Sequence, residues 1–140
     1  MSDFIIVDGD KAEFKPTFGL AQVVVRLGEI KGSGRSSLKD KNVCILGDEK
    51  TVLVPGCLYT AGAFIIPGVG TLKIDTLNRD QIANKTNSAG KPMILQGSSF
   101  IAKFEVQAPA FMLLPLLPDV TPQYFGTGSF ITTNTKWTGT

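Results

Sequence analysis

The sequence predicts a mainly β fold, a compact arrangement of short hairpins followed by a C-terminal extension. Apolar and polar residues alternate with period two, and β-branched runs recur along the chain, as half-buried strands require. The 15 glycines and 8 prolines gather at the joints between those runs. Helical spacing is confined to Ile74–Asn84, where Ile74, Leu77 and Ile82 share one face poorly, so no helix is expected.

Strands are expected at Phe4–Val7, Gln22–Leu27, Asn42–Leu46, Thr51–Val54, Leu58–Ile66, Thr71–Thr76, Met93–Gln96 and Phe100–Val106. Turn signals separate them at Gly32-Ser33-Gly34, Gly47-Asp48-Glu49, Pro55-Gly56, Pro67-Gly68, Ala89-Gly90 and Gly97-Ser98. One hairpin is expected to run from Val43–Leu46 through Gly47-Asp48-Glu49 into Thr51–Val54, apolar on both faces. A second would fold Met93–Gln96 over Gly97-Ser98-Ser99 onto Phe100–Val106. Phe100, Ala102, Phe104 and Val106 lie on one face of that last strand, Ile101, Lys103 and Glu105 on the other. The tract Asn78–Asn87 reads as a polar loop, and no convincing internal repeat is visible.

Residues 1–107 therefore read as one β-rich domain, with 108–140 as an extension. The extension opens Pro-punctuated and apolar ("APAFMLLPLLP") and ends rich in Gly and Thr ("GTGSFITTNTKWTGT"). That end is expected to be a last edge strand or an arm that orders on assembly.

A chain of 140 residues buries a core without staples. Hydrophobic residues make up 43% and charged residues 19%, with mean hydropathy +0.16, so some apolar surface is expected to belong to an interface. Net charge is +2 with mixed signs. The basic residues Lys31, Arg35, Lys39, Lys41 and Lys50 are diluted by Asp40, Asp48 and Glu49, which suits a solvated face better than a nucleic-acid site. The start carries acids and a short apolar run, so no signal peptide is expected and synthesis in the cytoplasm is. "APAFMLLPLLP" is too short and too broken to span a bilayer as a helix.

Chemistry is scarce. The chain has 0 histidines, which removes the commonest general base and excludes Ser-His-Asp and Cys-His arrangements. Asp8-Gly9-Asp10 reads as a turn closing a strand, since the rest of a calcium loop fails. Gly32–Ser37 ("GSGRSS") lacks the glycine and lysine pattern of a phosphate loop and reads as a mobile loop carrying Arg35 and Lys39. Cys44 and Cys57 read as buried free thiols, and by themselves do not complete a zinc tetrahedron. Most phenylalanines sit inside apolar runs, where core packing explains them. Trp137, without apolar neighbours in sequence, suits a contact residue.

The ordered pieces resemble a PAAR-like protein of a contractile injection apparatus, type VI secretion-like or phage-tail-like. They are the opening strand ending at Val7-Asp8-Gly9, the hydrophobic segment Val43–Val54, and Gly90-Lys91-Pro92-Met93-Ile94-Leu95 leading over Gly97-Ser98-Ser99 into Phe100–Val106. The resemblance covers roughly residues 1–107. It implies a small β-rich cone that caps a trimeric VgrG-type spike, one copy per trimer, as a membrane-piercing structural tip. It further implies incorporation in a particle, delivery outside the cell or into a target envelope, and room for effector cargo. Such tips typically hold zinc through histidines and a cysteine. Without histidine that site is not carried over, and no cofactor is expected. For the spike-facing base, hydrophobicity nominates Phe64, Ile65, Ile66, Phe111, Met112, Leu113, Leu114, Leu116 and Leu117, all of which fit a core equally well, with core the preferred reading for Phe64, Ile65 and Ile66, and Trp137 is a further contact. No residue is assigned a catalytic role and no nucleic-acid partner is expected. The alternative is a stand-alone β-barrel module binding single-stranded nucleic acid or carbohydrate.

Overall fold

The computed structural model describes residues 3–38, 40–132, 134 and 137–139. Five short strands come first: β1 (Asp3–Phe4), β2 (Lys11–Phe14), β3 (Thr17–Phe18), β4 (Ala21–Val23) and β5 (Gly28–Glu29). Next are β6 (Ser37–Leu38), β7 (Lys41–Asn42) and a 3-10 turn at Asp48–Thr51. The long strands β8 (Leu53–Ala61) and β9 (Phe64–Thr76) follow, then a second 3-10 turn at Arg79–Gln81. β10 (Ile82–Ser88), β11 (Lys91–Ile94) and β12 (Phe100–Ala108) lead to a small pair, β13 (Phe111–Met112) and β14 (Leu117–Pro118). β15 (Gln123–Ile131) and β16 (Thr138–Gly139) complete the described chain.

The largest sheet has the order β3-β4-β8-β9-β12-β15-β2-β5. β2 and β3 are separated only by Lys15 and Pro16, yet β2 pairs with β15 and β3 with β4. The sheet thus curls back to the stretch of chain where it began. Pro16 has no amide to give to the ladder and sits at that break. Its carbonyl accepts from Val23, while the Lys15 amide donates to Thr127, both at 2.9 Å.

Three hairpins make up the curl, β2/β3 with β4, β8 with β9, and β12 with β15. Their inward residues alternate as a pleated strand requires, and Ala12, Phe14, Phe100, Ala102 and Phe104 are buried between exposed or half-buried neighbours. Each hairpin sends aromatic rings inward. Phe14 meets Phe100 edge-on at 5.6 Å, Tyr59 meets Phe104 at 5.2 Å, and Phe100 lies 5.1 Å from Phe130. Full burial of such a ring stabilises by about 1.5–3 kcal/mol. Room for the rings comes from glycines on the strands: a Cβ at Gly126 would sit 2.8 Å from the Phe18 ring, and one at Gly128 2.7 Å from Phe100.

Each hairpin is fed by a short arm, and the three arms form a closed triangle. Residues 5–7, 43–45 and 93–95 bridge one another in a cycle: Val7 with Val43, Ile45 with Met93, Leu95 with Ile5. The middle residues close a ring of backbone hydrogen bonds, each 2.9 Å long, in which Cys44 donates to Ile6, Ile94 to Cys44 and Ile6 to Ile94. An outer set repeats the pattern, Asp8 to Asn42, Leu46 to Pro92 and Gln96 to Phe4, at 2.8–2.9 Å. After each arm the chain turns through a glycine with positive φ: Gly9 at 88°, Gly47 at 108°, Gly97 at 55°. Each arm is entered from a strand of a two-stranded ribbon, β1 with β16, β7 with β6, and β11 with β10, the last running on into its arm through Met93 and Ile94. The molecule therefore has a pseudo-threefold axis. A ring closed by three strands is narrower than one closed by six, so the arms mark the narrow part and the hairpins widen away from it.

The arms separate two cores. Ile6, Cys44 and Ile94, all at 0% exposure, belong to the main core inside the hairpins. Their neighbours Ile5, Val7, Val43, Ile45, Met93 and Leu95 build a second cluster with Ala83, against which Trp137 packs.

Several sequence expectations need correction. The repeat that looked absent is present as Phe4–Gly9, Asn42–Gly47 and Pro92–Gly97, each with three apolar residues followed two positions later by glycine. Neither expected hairpin forms. Val43 and Ile45 pair with the other arms, while Leu53 and Val54 pair with Lys73 and Leu72 of β9. β11 pairs with β10, and β12 with β9 and β15. Leu58–Ile66 is not one strand, because the chain reverses at Gly62-Ala63 between Ala61 and Phe64. Pro55-Gly56 is a register shift within β8, and Pro67-Gly68 lies inside β9. The polar tract 78–87 holds a 3-10 turn and most of β10. The Thr-rich end supplies β15, which lies between β12 and β2 and is not an edge, while β16 pairs with β1. As expected, Ile74–Asn84 is not an α-helix.

Candidate docking surface

All three hairpins leave the arms and turn at the far, wide end. β3 turns into β4 at Gly19-Leu20, β8 into β9 at Gly62-Ala63, and β12 reaches β15 through the longer excursion 109–122. Within that excursion β13 pairs with β14, and Phe111 bridges Ile66 of β9. The structure thus brings together the two apolar segments nominated from sequence, Phe64–Ile66 and Phe111–Leu117. Phe64 packs against the main core, and Ile66, Phe111 and Met112 are half-buried. Ile65, Leu113, Leu114, Leu116 and Leu117 are exposed, Leu114 at 91%. Leu20 at 79% and Val120 at 87%, not nominated, join them at this end. Leu20 was obscured because it stands alone in a turn between polar or small neighbours. Trp137 is elsewhere, half-buried on the second cluster, so it is not a lone anchor.

A buried carboxylate moors the leucine hairpin. Asp119, 5% exposed, accepts from the hydroxyls of Tyr59 at 2.8 Å and Tyr124 at 2.6 Å and from the Thr121 amide at 3.0 Å. The Tyr59 oxygen in turn accepts from the Ala110 amide, and the Asp119 amide donates to the Ala110 carbonyl at 2.7 Å. Burial pushes the Asp119 carboxyl up, but the bonds from Tyr124, Thr121 and Tyr59 outweigh it and hold the group below its ordinary value. Desolvation and the same carboxylate push the Tyr59 hydroxyl up to about 12. Sequence inspection missed this cluster because its members are 60 and 5 positions apart and surrounded by nothing reactive.

The motifs weighed for chemistry are occupied structurally. Asp8 accepts the Gly32 amide, Asp10 the Val7 amide, and Asp48 the amides of Ser33 and Ile45 with the Ser33 hydroxyl. Gly34 donates to Val43, while Arg35 and Ser36 donate to the Ser88 hydroxyl. The Gly32–Ser37 segment is thus tied down by its own amides and not a free loop, and carboxylates fill the place an anion would need. Lys39 lies outside the described residues. Cys44 and Cys57 are buried and unpaired as a disulfide, with burial pushing the Cys44 thiol up. Among the described residues no group of three or more His, Cys, Asp or Glu side chains is placed to hold a metal ion. Apolar side chains fill the space beyond the arms. No helix is long and apolar enough to cross a membrane among the described residues.

The chain is thus a β cap with pseudo-threefold order and an apolar wide end. The whole chain, residues 1–140, matches the family model described as contractile injection system spike tip protein, and the protein belongs to that family. It is a component of an injection particle and associates with its spike. The match includes the segment beyond residue 107, where the sequence resemblance stopped. No curated protein matches the chain.

Proposed function

We propose that the wide end seats on the blunt end of a trimeric, VgrG-like spike, one copy per trimer, and that the arms and ribbons form the leading point that pierces an envelope. The observation that carries this is the closed triangle of arms with its three hairpins. One chain with pseudo-threefold order can meet a threefold shaft without symmetry mismatch. The exposed leucines around Leu114, with Ile65, Leu20 and Val120, supply apolar contact, and about 800 Å² per partner would make an ordinary stable interface. The tip acts by rigid shape, without catalysis or metal, and the apolar cluster beyond the arms takes the place of a zinc site. Effector cargo remains compatible with this role.

Mixing the protein with its spike trimer and measuring the mass of the complex tests the stoichiometry. One copy per trimer is expected, and three copies, or no complex, overturns the proposal. Leu114→Asp with Leu116→Asp should abolish the complex while leaving the circular dichroism and melting of the tip unchanged. Metal analysis of the purified protein should find no stoichiometric zinc.

A further inference from the structure

We infer that the ribbon end is a docking surface for anionic lipid bilayers. Ion pairs are unevenly placed. Lys11 with Glu29, Lys73 and Lys103 with Glu105, and Lys103 with Asp75 all lie on strands of the large curled sheet. On the ribbons β6–β7 and β10–β11 and the segment entering β6, the exposed cations Arg35, Lys41, Lys85 and Lys91 make no ion pair among the described residues. Asp40, in the turn joining β6 to β7, is the exposed acid among them.

The two ribbons are neighbours. The Ser88 hydroxyl of β10 accepts the amides of Arg35 at 2.9 Å and Ser36 at 3.2 Å, and Ser88 pairs with Lys91. Arg35 and Lys91 therefore flank one residue, with Lys41 and Lys85 on the adjoining strands. The acids nearest the arms, Asp3, Asp8 and Asp48, are turned to the backbone amides of Gly97, Gly32 and Ser33 and form no ion pair with these cations among the described residues. The molecule is consequently apolar at its wide end and basic at its point. Basic groups at the surface of an anionic membrane each contribute about fivefold in partitioning, and salt weakens the effect within a Debye length. Among the described residues no fully exposed aromatic ring stands at this end as a platform for single-stranded nucleic acid: Phe4 and Trp137 are half-buried, and the rings of Phe14, Tyr59, Phe100 and Phe104 are in the main core. That favours lipid over an oligonucleotide.

This inference builds on the orientation given under Proposed function but is tested on the isolated tip. Co-sedimentation with phosphatidylcholine vesicles containing phosphatidylglycerol should show binding at low salt that falls at high salt, with none to pure phosphatidylcholine. Arg35→Ser, Lys41→Ser, Lys85→Ser and Lys91→Ser combined should reduce it more than tenfold, about fivefold per cation being available. Lys15→Ser on the curled sheet should not change it. Equal binding by the quadruple variant, confirmed folded by its melting curve, overturns the inference, as does tighter binding to a DNA oligonucleotide than to the vesicles. The spike complex is read separately: loss of lipid binding with intact stoichiometry would leave the proposed function standing.

Discussion

The Tyr59 hydroxyl donates to the buried carboxylate of Asp119 at 2.8 Å, and through that bond β8 holds the leucine hairpin in place at the wide end. Tyr124 completes the grip from β15 at 2.6 Å. Exposed leucines on a slack loop would collapse onto the nearest apolar surface, whereas a moored hairpin keeps them presented.

Asp119→Ala is therefore expected to destabilise the protein by about 3 kcal/mol, because it leaves buried hydroxyls and amides without their acceptor. It should also weaken the spike complex although no spike contact is removed. Urea unfolding and complex formation measured on the same variant check both parts.

The same cluster sets limits of pH. Asp119 lies below its ordinary value of 3.8 in the folded state, so its contribution is complete above that pH and is lost as pH falls through the lower folded value. Tyr59 moves oppositely, from 10.0 to about 12, so its contribution is complete below pH 10.0 and is lost as pH rises through about 12. Urea midpoints followed against pH should decline at both extremes, and Asp119→Asn should flatten the acid decline.

Gly47 turns the second arm into its 3-10 segment at φ 108°, with open space where a Cβ would go. The cost of Gly47→Ala is then purely conformational, about 1–3 kcal/mol. A lowered melting temperature with an unchanged far-ultraviolet spectrum is expected, and an unchanged temperature would show that the turn tolerates another geometry.

Cys44 sits in the hydrogen-bonded triangle at 0% exposure, and burial disfavours its thiolate. Thiol reagents at pH 8 should leave it unmodified in the native protein and react after denaturation. Rapid native labelling would mean that the triangle opens.

Much of the architecture could be read along the chain wherever neighbours in sequence decide it. Phe100, Ala102 and Phe104 alternate with Ile101, Lys103 and Glu105, and the first set is buried. Phe64–Ile66 and Phe111–Leu117 stand out in the sequence as apolar segments, but whether each is core or surface is not legible there, and only the Phe111–Ile66 bridge shows that they meet. β15 was obscured because its glycines look like linker residues, although Gly126 and Gly128 are there to admit the rings of Phe18 and Phe100. The threefold pattern was obscured by unequal spacing and by divergence after each arm. Asp10 and Asp48 cap the first two arms, while in the third Ser98 takes the acid's place and the Gln81 carbonyl accepts the Leu95 amide.

By itself, then, the sequence determined that the chain is β-structured, lacks histidine chemistry and carries more apolar surface than a lone core consumes. Those properties follow from residue identity and local alternation. Tertiary structure decided which strands pair, that three separated hexapeptides close a triangle, and that Asp119 meets the distant Tyr59 together with its near neighbour Tyr124. Backbone amides and carbonyls are alike at every position, so pairing partners are chosen only when the whole chain satisfies its hydrogen bonds and buries its rings together.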